Sequence, residues 1–203
     1  MTLRVGIDLD NTLVCYDGVF ERLVRERGLL PSGVPANKKT VRDAVRKAAG
    51  NDVWTELQGL AYGPGMKNAK FMPGAEEFLR WAASRIEFFV VSHKTRRSAA
   101  GNHDLHAPAV EWMKANGFFS ADGFGLEFGR QVFLEETREG KFGRIANLKL
   151  THFIDDLEEF LTDPVFPAGV ERLHYAPEGA PAAPGLRSFD DWTGILEYFS
   201  KKF

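Results

Sequence analysis

Short apolar runs alternate with longer segments of helical spacing along most of the chain. Such runs are typical of strands buried in a parallel sheet. The runs that predict strands cover residues 3–7, 86–92, 131–136 and 151–156, and residues 171–175 are expected to form an outer strand. Between them, apolar residues three and four apart predict amphipathic helices. Strands that alternate with helices indicate an α/β fold, with a mostly parallel sheet and helices on both faces.

Several residues mark where the predicted helices begin and end. Gly28 is placed to end the first helix, because glycine readily adopts the left-handed conformation found there. Thr40 with Asp43 resembles a capping box at the start of another helix. Pro73 is expected near the first turn of the helix before the second strand. Ser188 is expected to cap the last helix.

The connection between the first two predicted strands is much longer than the others. It contains two or three predicted helices. We therefore expect residues 14–72 to form a small helical cap, inserted into a core domain made of residues 1–13 and 73–203.

Composition and charge narrow the class of protein. The chain has 203 residues, 44% of them apolar, and a net charge of −2, so no basic field favours nucleic acid as a partner. No apolar segment predicts a membrane span, and the first residues lack a signal-peptide pattern. The single cysteine, Cys15, is interpreted as a buried thiol and fits a reducing compartment. We expect a cytoplasmic protein.

Polar side chains follow four of the predicted strands, where each strand ends. They are Asp8, Asp10 and Thr12; Ser92, His93 and Lys94; Glu135, Glu136 and Thr137, with Lys141 just beyond; and Asp155 and Asp156. In an open parallel sheet, ligands bind beyond the carboxyl ends of the strands. The sequence therefore predicts one cleft lined from four separate places in the chain.

Four carboxylates in one cleft would repel one another. Asp8, Asp10, Asp155 and Asp156 are expected to converge there, and a hard divalent cation with oxygen ligands, expected to be Mg²⁺, would relieve their repulsion. A nearby lysine adds a further positive charge. Such a site suits an incoming phosphate, which the cation and the lysine neutralise while a hydroxyl and backbone N–H groups hold it.

These residues resemble the motifs of the haloacid dehalogenase (HAD) superfamily. "DLDNT" at 8–12 matches the DxDxT signature, Ser92 in "VVSHKT" matches the second motif, and "FIDD" at 153–156 matches the fourth. Lys141 is the preferred third motif; Lys149 is the alternative. The resemblance covers most of the chain and implies a Rossmann-like core with a cap.

The resemblance also implies roles for these residues. Asp8 would attack phosphorus and form an aspartyl-phosphate, and Asp10 would act as general acid and then as general base. Thr12 and Ser92 would hold phosphate oxygens or shape the loop, and Lys141 would steady Asp8 and the phosphate charge.

The magnesium ligands implied by the resemblance come from two motifs. They are Asp8, the backbone carbonyl of Asp10, and an acid of the fourth motif. Asp156 aligns best with the usual ligand, and Asp155 binds directly or through water.

The expected activity is Mg²⁺-dependent hydrolysis of a small phosphorylated metabolite. A dehalogenase needs neither a metal nor a second acid, so Asp10 and the acidic pair favour phosphate chemistry. A phosphotransferase or phosphomutase of the same superfamily and a catalytically silent binding domain stay open as alternatives. The substrate and the oligomeric state are not specified by the sequence.

Residues 93–106 follow the second strand and are less specific. His93 and Lys94 are candidates for contact with the leaving group of the substrate. His103, Asp104 and His106 could indicate a second metal site, but we favour a loop near the mouth of the cleft.

Overall fold

The computed structural model describes residues 3–29, 37–179 and 183–202. Within these residues the strands are β1 (Arg4–Ile7), β2 (Val14–Cys15), β3 (Lys70–Phe71), β4 (Glu87–His93), β5 (Val132–Glu135), β6 (His152–Asp155), β7 (Glu171–Tyr175) and β8 (Leu186–Phe189). The helices are α1 (Asp17–Glu26), α2 (Lys38–Ala49), α3 (Asn51–Tyr62), α4 (Ala75–Ala82), α5 (His106–Ala115), α6 (Arg138–Asn147), α7 (Glu158–Leu161) and α8 (Trp192–Ser200). A short 3₁₀ helix spans Met66–Asn68.

Six strands form one sheet, in the order β5-β4-β1-β6-β7-β8. Every neighbouring pair in it runs parallel, and Ile7 in β1 is level with Val90 in β4 and Ile154 in β6. The carboxyl ends of these strands therefore lie along one edge. The predicted α/β fold with a mostly parallel sheet is confirmed.

Close packing on one face of the sheet depends on Gly6 in β1. A Cβ atom at this position would lie 2.4 Å from Leu150 Cδ1 and 2.5 Å from Phe153 Cδ2, far inside van der Waals contact. Both neighbours are buried in an apolar cluster that includes Phe142 and Phe160. The missing side chain therefore lets these residues pack against the backbone of β1.

The last part of the sheet differs from the prediction. β7 was expected to be an outer strand, but β8 pairs with it and forms the edge. Ser188, expected to cap the last helix, lies in β8, level with His174. Asp191 caps α8 instead, and its Oδ1 accepts from the Gly194 N–H at 2.7 Å.

Two other predicted helix starts are also displaced. Asn37, not Thr40, caps α2: its side chain accepts from the Thr40 N–H at 2.9 Å, which satisfies one of the free donors of the first turn. Pro73 lies outside the first turn of α4, because Gly74 is the N-cap and has a φ of 83°. Gly28 follows the end of α1 with a φ of 64°, as expected for a helix stop.

The chain divides into two compact units. The first lies within Met1–Val14, Phe71–His93 and Gly117–Phe203 and contains the six-stranded sheet. The apolar cluster described above is part of its core.

The second unit lies within Cys15–Lys70 and Lys94–Asn116. It differs from the predicted cap, residues 14–72, by the addition of the segment that contains α5. That segment joins the unit through Trp112, whose indole N–H donates to the Ala69 carbonyl at 3.0 Å. The action of this unit as a cap stays a prediction.

Cys15 was predicted to be buried, but the structure leaves its side chain partly exposed. Even so, partial burial raises the pKa of the thiol. Among the described residues, no helix combines the length and the apolar character that crossing a membrane requires.

Candidate active site

The loop after β1 begins at Asp8, whose backbone N–H donates to the Ile154 carbonyl at 2.9 Å. This bond extends the pairing of β1 with β6 by one residue and places Asp8 at the carboxyl edge of the sheet. The chain then turns back. The Leu13 N–H donates to the Leu9 carbonyl at 3.0 Å, and Asn11 has a φ of 64°, a left-handed conformation that asparagine tolerates. Asp8 is left only 5% exposed.

Thr12 connects this loop to the end of β6. Its side chain is fully buried, and its hydroxyl donates to Asp156 Oδ1 at 3.3 Å. Its backbone carbonyl accepts from the Trp192 indole N–H at 3.1 Å. Both contacts hold the loop in place. Contact of Thr12 with phosphate stays a prediction.

Lys141 lies in the first turns of α6, which Thr137 caps by accepting from the Gly140 N–H at 3.0 Å. Its ammonium group donates to Asp8 Oδ1 at 2.7 Å and to Asp155 Oδ2 at 2.6 Å. All three side chains are buried. Of the two lysines that could match the third motif, Lys141 is therefore the one that contacts the Asp8 carboxylate.

The acidic pair, Asp155 and Asp156, accepts hydrogen bonds from both backbone and side-chain donors. Asp155 is completely buried; its Oδ1 accepts from the Leu157 N–H at 2.9 Å, and its Oδ2 receives Lys141. Asp156 is partly exposed and receives the Thr12 hydroxyl. Oxygens of Asp8, Asp155 and Asp156 all lie within 4.8 Å of one another.

This group of three carboxylates is suited to bind a hard divalent cation. It is the one group of three or more acidic, histidine or cysteine side chains within the described ranges that could hold a metal ion. Oxygen ligands of this kind suit Mg²⁺. The carboxylate of Asp10 is not part of the group, and the contribution of its backbone carbonyl stays a prediction.

Burial and neighbouring charges shift the pKa values of Asp8 and Lys141. Burial raises its pKa to about 7, Asp155 and Asp10 add to the rise, and Lys141 opposes it. Burial by itself would lower the pKa of Lys141, but attraction to Asp155 and Asp8 raises it well above the usual value. Lys141 is therefore charged at neutral pH, and a further cation beside Asp8 would favour its ionised form.

Ser92 lies near the end of β4, at the same edge of the sheet. Its side chain is 1% exposed, and within the described residues its hydroxyl has no hydrogen-bond partner. A buried hydroxyl without a partner is costly; the predicted contact of Ser92 with phosphate stays a prediction. His93, the next residue, is level with Glu135 and exposed.

Lys94 belongs to the second unit. It is buried there, with its ammonium nitrogen 5.5 Å from the centre of the Tyr62 ring. The predicted contact of Lys94 with substrate stays a prediction.

Asp104 has a structural role in the loop at 93–106. Asp104 Oδ1 accepts from the backbone N–H groups of His106 and Ala107, both at 2.9 Å. The His106 ring contacts the Lys94 carbonyl at 2.6 Å. These contacts order the start of α5.

One residue near the carboxylates was missed by the sequence reasoning. His174 lies near the end of β7, is 5% exposed, and contacts the Asp156 carbonyl through Nε2 at 3.3 Å. The signal was present, because His174 is a polar residue near the end of a predicted strand, as Ser92 and Asp155 are.

No protein-family model matches the sequence, and no curated protein is significantly similar to it. Solved structures do match over nearly the whole chain. A haloacid dehalogenase-like family hydrolase from Streptococcus pneumoniae aligns with a TM-score of 0.59 and 15% identity, covering 98% of each chain. The HAD protein YfnB of Bacillus subtilis, in a structure bound to magnesium, aligns with a TM-score of 0.56 and 12% identity, covering 97% of this chain and 98% of its own.

A third match shows that the fold hosts more than one chemistry. A 2-haloacid dehalogenase from Pseudomonas syringae aligns with a TM-score of 0.50 and 13% identity, covering 100% of both chains. The motif order in the sequence and the arrangement of the sheet lead to the same assignment. This protein has the fold of the haloacid dehalogenase superfamily.

Proposed function

We propose that this protein is a Mg²⁺-dependent phosphatase that removes phosphate from a small phosphorylated metabolite through an aspartyl-phosphate on Asp8. The supporting observation is the convergence of the buried Asp8, Lys141 and Asp155 with Asp156 at the carboxyl edge of the sheet. Three carboxylates and one lysine leave an excess of negative charge, which a divalent cation offsets.

Asp8 is the nucleophile in this proposal. Its carboxylate oxygen attacks phosphorus, and the bond from phosphorus to the leaving oxygen breaks. The hydrogen bond from Lys141 holds the Asp8 carboxylate in one orientation and favours its ionised form. The same ammonium group offsets charge on the phosphate as it transfers.

Asp10 moves the proton in both halves of the reaction. It first donates a proton to the leaving oxygen. It then takes a proton from the water that attacks the phosphorus of the aspartyl-phosphate, which releases inorganic phosphate and restores Asp8. Acid and base catalysis by one carboxyl group is worth about 10²–10⁴ in rate.

The phosphate oxygens need donors, and Ser92 supplies one. Its hydroxyl is buried and lacks a partner within the described part of the chain, so a bound phosphate oxygen would satisfy it. Thr12 holds the nucleophile loop against Asp156.

Asp8, Asp156 and the backbone carbonyl of Asp10 would hold Mg²⁺, with Asp155 binding directly or through water. When bound, the cation neutralises carboxylate and phosphate charge at the transferring group. The observation favouring it is that carboxylate oxygens of Asp8, Asp155 and Asp156 lie within 4.8 Å of one another.

Dehalogenation is the competing chemistry, because a 2-haloacid dehalogenase shares this fold. Halide leaves without a proton and its carbon electrophile needs no metal. A second acid at Asp10 and three clustered carboxylates would serve no purpose in that reaction. They favour phosphate transfer, to water or to another acceptor.

The second unit is proposed to act as a cap that admits only small substrates. Neither nucleic acid nor a membrane is expected as a partner, and a cytoplasmic location is part of the same proposal. Release of free phosphate, rather than transfer to an added acceptor alcohol, would separate a phosphatase from a phosphotransferase.

The test is hydrolysis of p-nitrophenyl phosphate in Mg²⁺ and in EDTA. Asp8→Asn should reduce turnover to background, Asp10→Asn should reduce it by about 10²–10⁴, and EDTA should abolish it. Glu158→Gln is the matched control, because Glu158 is an exposed acid just beyond the acidic pair. Acid-quenched wild type should yield a phosphorylated peptide that contains Asp8.

Two results would overturn the proposal. One is hydrolysis that persists in both EDTA and Asp8→Asn. The other is halide release from 2-haloacids without metal, combined with no release of phosphate from a panel of phosphorylated metabolites.

A further inference from the structure

We infer that His174 is a positioning residue that holds the Asp156 backbone, and through it the Asp156 carboxylate, in place for a divalent cation. The inference rests on the proposed function, since it assumes that Asp156 is a cation ligand. His174 was not among the residues that the sequence motifs indicated.

The sheet places His174 beside the acidic pair. In the pairing of β6 with β7, His174 is level with Asp155, and in the pairing of β7 with β8 it is level with Ser188. His174 therefore lies in the middle of a row of three residues across adjacent strands. Its side chain is 5% exposed, so its polar atoms need partners inside the protein.

Both ring nitrogens have such partners. Nε2 lies 3.3 Å from the Asp156 carbonyl oxygen, and Nδ1 lies 3.4 Å from Ser188 Oγ. A carbonyl oxygen only accepts, so Nε2 donates to Asp156. In the neutral ring Nδ1 then accepts from the Ser188 hydroxyl, and that bond favours the tautomer with hydrogen on Nε2.

Three contacts among the described residues help to hold the turn after β6. Asp155 Oδ1 accepts from the Leu157 N–H within the turn, and the Thr12 hydroxyl donates to the Asp156 carboxylate. His174 supplies the third, from a neighbouring strand to the backbone of Asp156 itself. Without it, the carbonyl of Asp156 loses this buried donor and the turn gains freedom to move the carboxylate.

Outer groups that orient metal ligands contribute strongly to metal affinity. Their loss typically weakens metal binding about 10–100-fold. We expect a defect of this kind for His174 variants that cannot donate to Asp156. At saturating Mg²⁺ the turnover should recover, because His174 contacts neither the substrate nor the reacting atoms in this scheme.

The experiment is calorimetric titration of Mg²⁺ into the full-length protein, with p-nitrophenyl phosphate turnover measured across the same Mg²⁺ range. His174→Leu and His174→Asn should weaken Mg²⁺ binding by about tenfold or more. His174→Gln should retain affinity close to wild type, because its longer side chain carries an amide donor near the position of Nε2. The amide of the shorter asparagine side chain lies near the position of Nδ1, so it does not replace the Nε2 donor.

His152→Asn is the matched control. His152 is also 5% exposed and lies in β6, but its ring contacts Thr151 and Tyr198 at the amino end of that strand. The control should change stability and leave Mg²⁺ affinity unchanged.

Unaltered Mg²⁺ affinity in His174→Asn, or an equal loss in His152→Asn, would overturn the positioning role and leave the proposed function intact. A wild-type protein that binds no Mg²⁺ and hydrolyses phosphate esters without it would overturn the proposed function, and this inference with it.

Discussion

Replacing Lys141 with methionine tests whether one buried cation stabilises the cluster of acids. Methionine keeps most of the apolar stem and removes the ammonium group, whose nitrogen lies 4.3 Å from the centre of the Phe160 ring. Asp8 and Asp155 would then lose the hydrogen bonds of 2.7 Å and 2.6 Å that they receive from Lys141.

The expected loss of stability is large because all three side chains are buried. Lys141 is 2% exposed, Asp8 5% and Asp155 0%. Removing one partner of a buried ion pair typically costs about 3–5 kcal/mol, since the other charge is left uncompensated. Apolar burial of the methionine tip offsets a part of this. We expect the free energy of unfolding to fall by about 3–4 kcal/mol at pH 8, against a total of about 5–15 kcal/mol for a typical domain.

The loss should depend on pH in a defined direction. The pKa of Asp8 is already raised from 3.8 to about 7 in the folded protein, so the folded state binds more protons than the unfolded state between those values. Stability therefore falls as pH rises through this window. Removing Lys141 raises the pKa of Asp8 further, so the variant should lose less stability at pH 5, where Asp8 is protonated, than at pH 8.

Urea denaturation in EDTA measures both effects, because no added cation can then replace the ammonium group. Lys149→Met is the control: Lys149 is exposed just after α6, and its loss should cost less than about 0.5 kcal/mol. Two results would refute the reasoning. One is a difference in the free energy of unfolding between the two variants of less than about 1 kcal/mol at pH 8, which is a fraction of the expected ion-pair cost. The other is a loss for Lys141→Met that is the same at pH 5 as at pH 8.

Two further pairs of variants test local packing and capping. Asn37→Ala should lower the free energy of unfolding, measured by urea denaturation, by about 1 kcal/mol. Thr40→Ala keeps the backbone N–H that Asn37 caps, so it should cost less than about 0.5 kcal/mol. Equal losses would contradict the cap assignment. Gly6→Ala should cost about 1–3 kcal/mol, because the new methyl overlaps Leu150. Gly143→Ala, in α6 with open space around it, should raise the free energy of unfolding by about 0.5–1 kcal/mol, measured by calorimetry. A Gly6→Ala variant as stable as wild type would count against the packing argument.

Four strands of the core, β1, β4, β5 and β6, were predictable because each is a short apolar run with polar residues after it. β1, β4, β5, β6 and β7 all lie within one residue of the predicted runs. Parallel pairing follows from the helices between them. The polar residues at their ends were therefore expected at one edge, and the structure brings Asp8, Lys141, Asp155 and Asp156 together there.

β8 escaped prediction because "LRSF" has no apolar run of its own. It is a strand because β7 offers it a partner, and that pairing takes Ser188 out of the helix start expected for it. Similarly, both Asn37 and Thr40 are acceptable caps by residue type. Backbone direction at the helix entrance, which depends on the surrounding packing, selects Asn37.

The amino-acid sequence by itself determined the α/β class, the order of the motifs and the acids of the candidate site, because these depend on local hydrophobic period and on residue type. Only the tertiary structure decided which lysine meets Asp8, which unit contains Lys94, and that His174 holds the Asp156 backbone. Those outcomes depend on distances between residues far apart in the chain. Such distances are set by strand register and side-chain packing, and no local pattern encodes them.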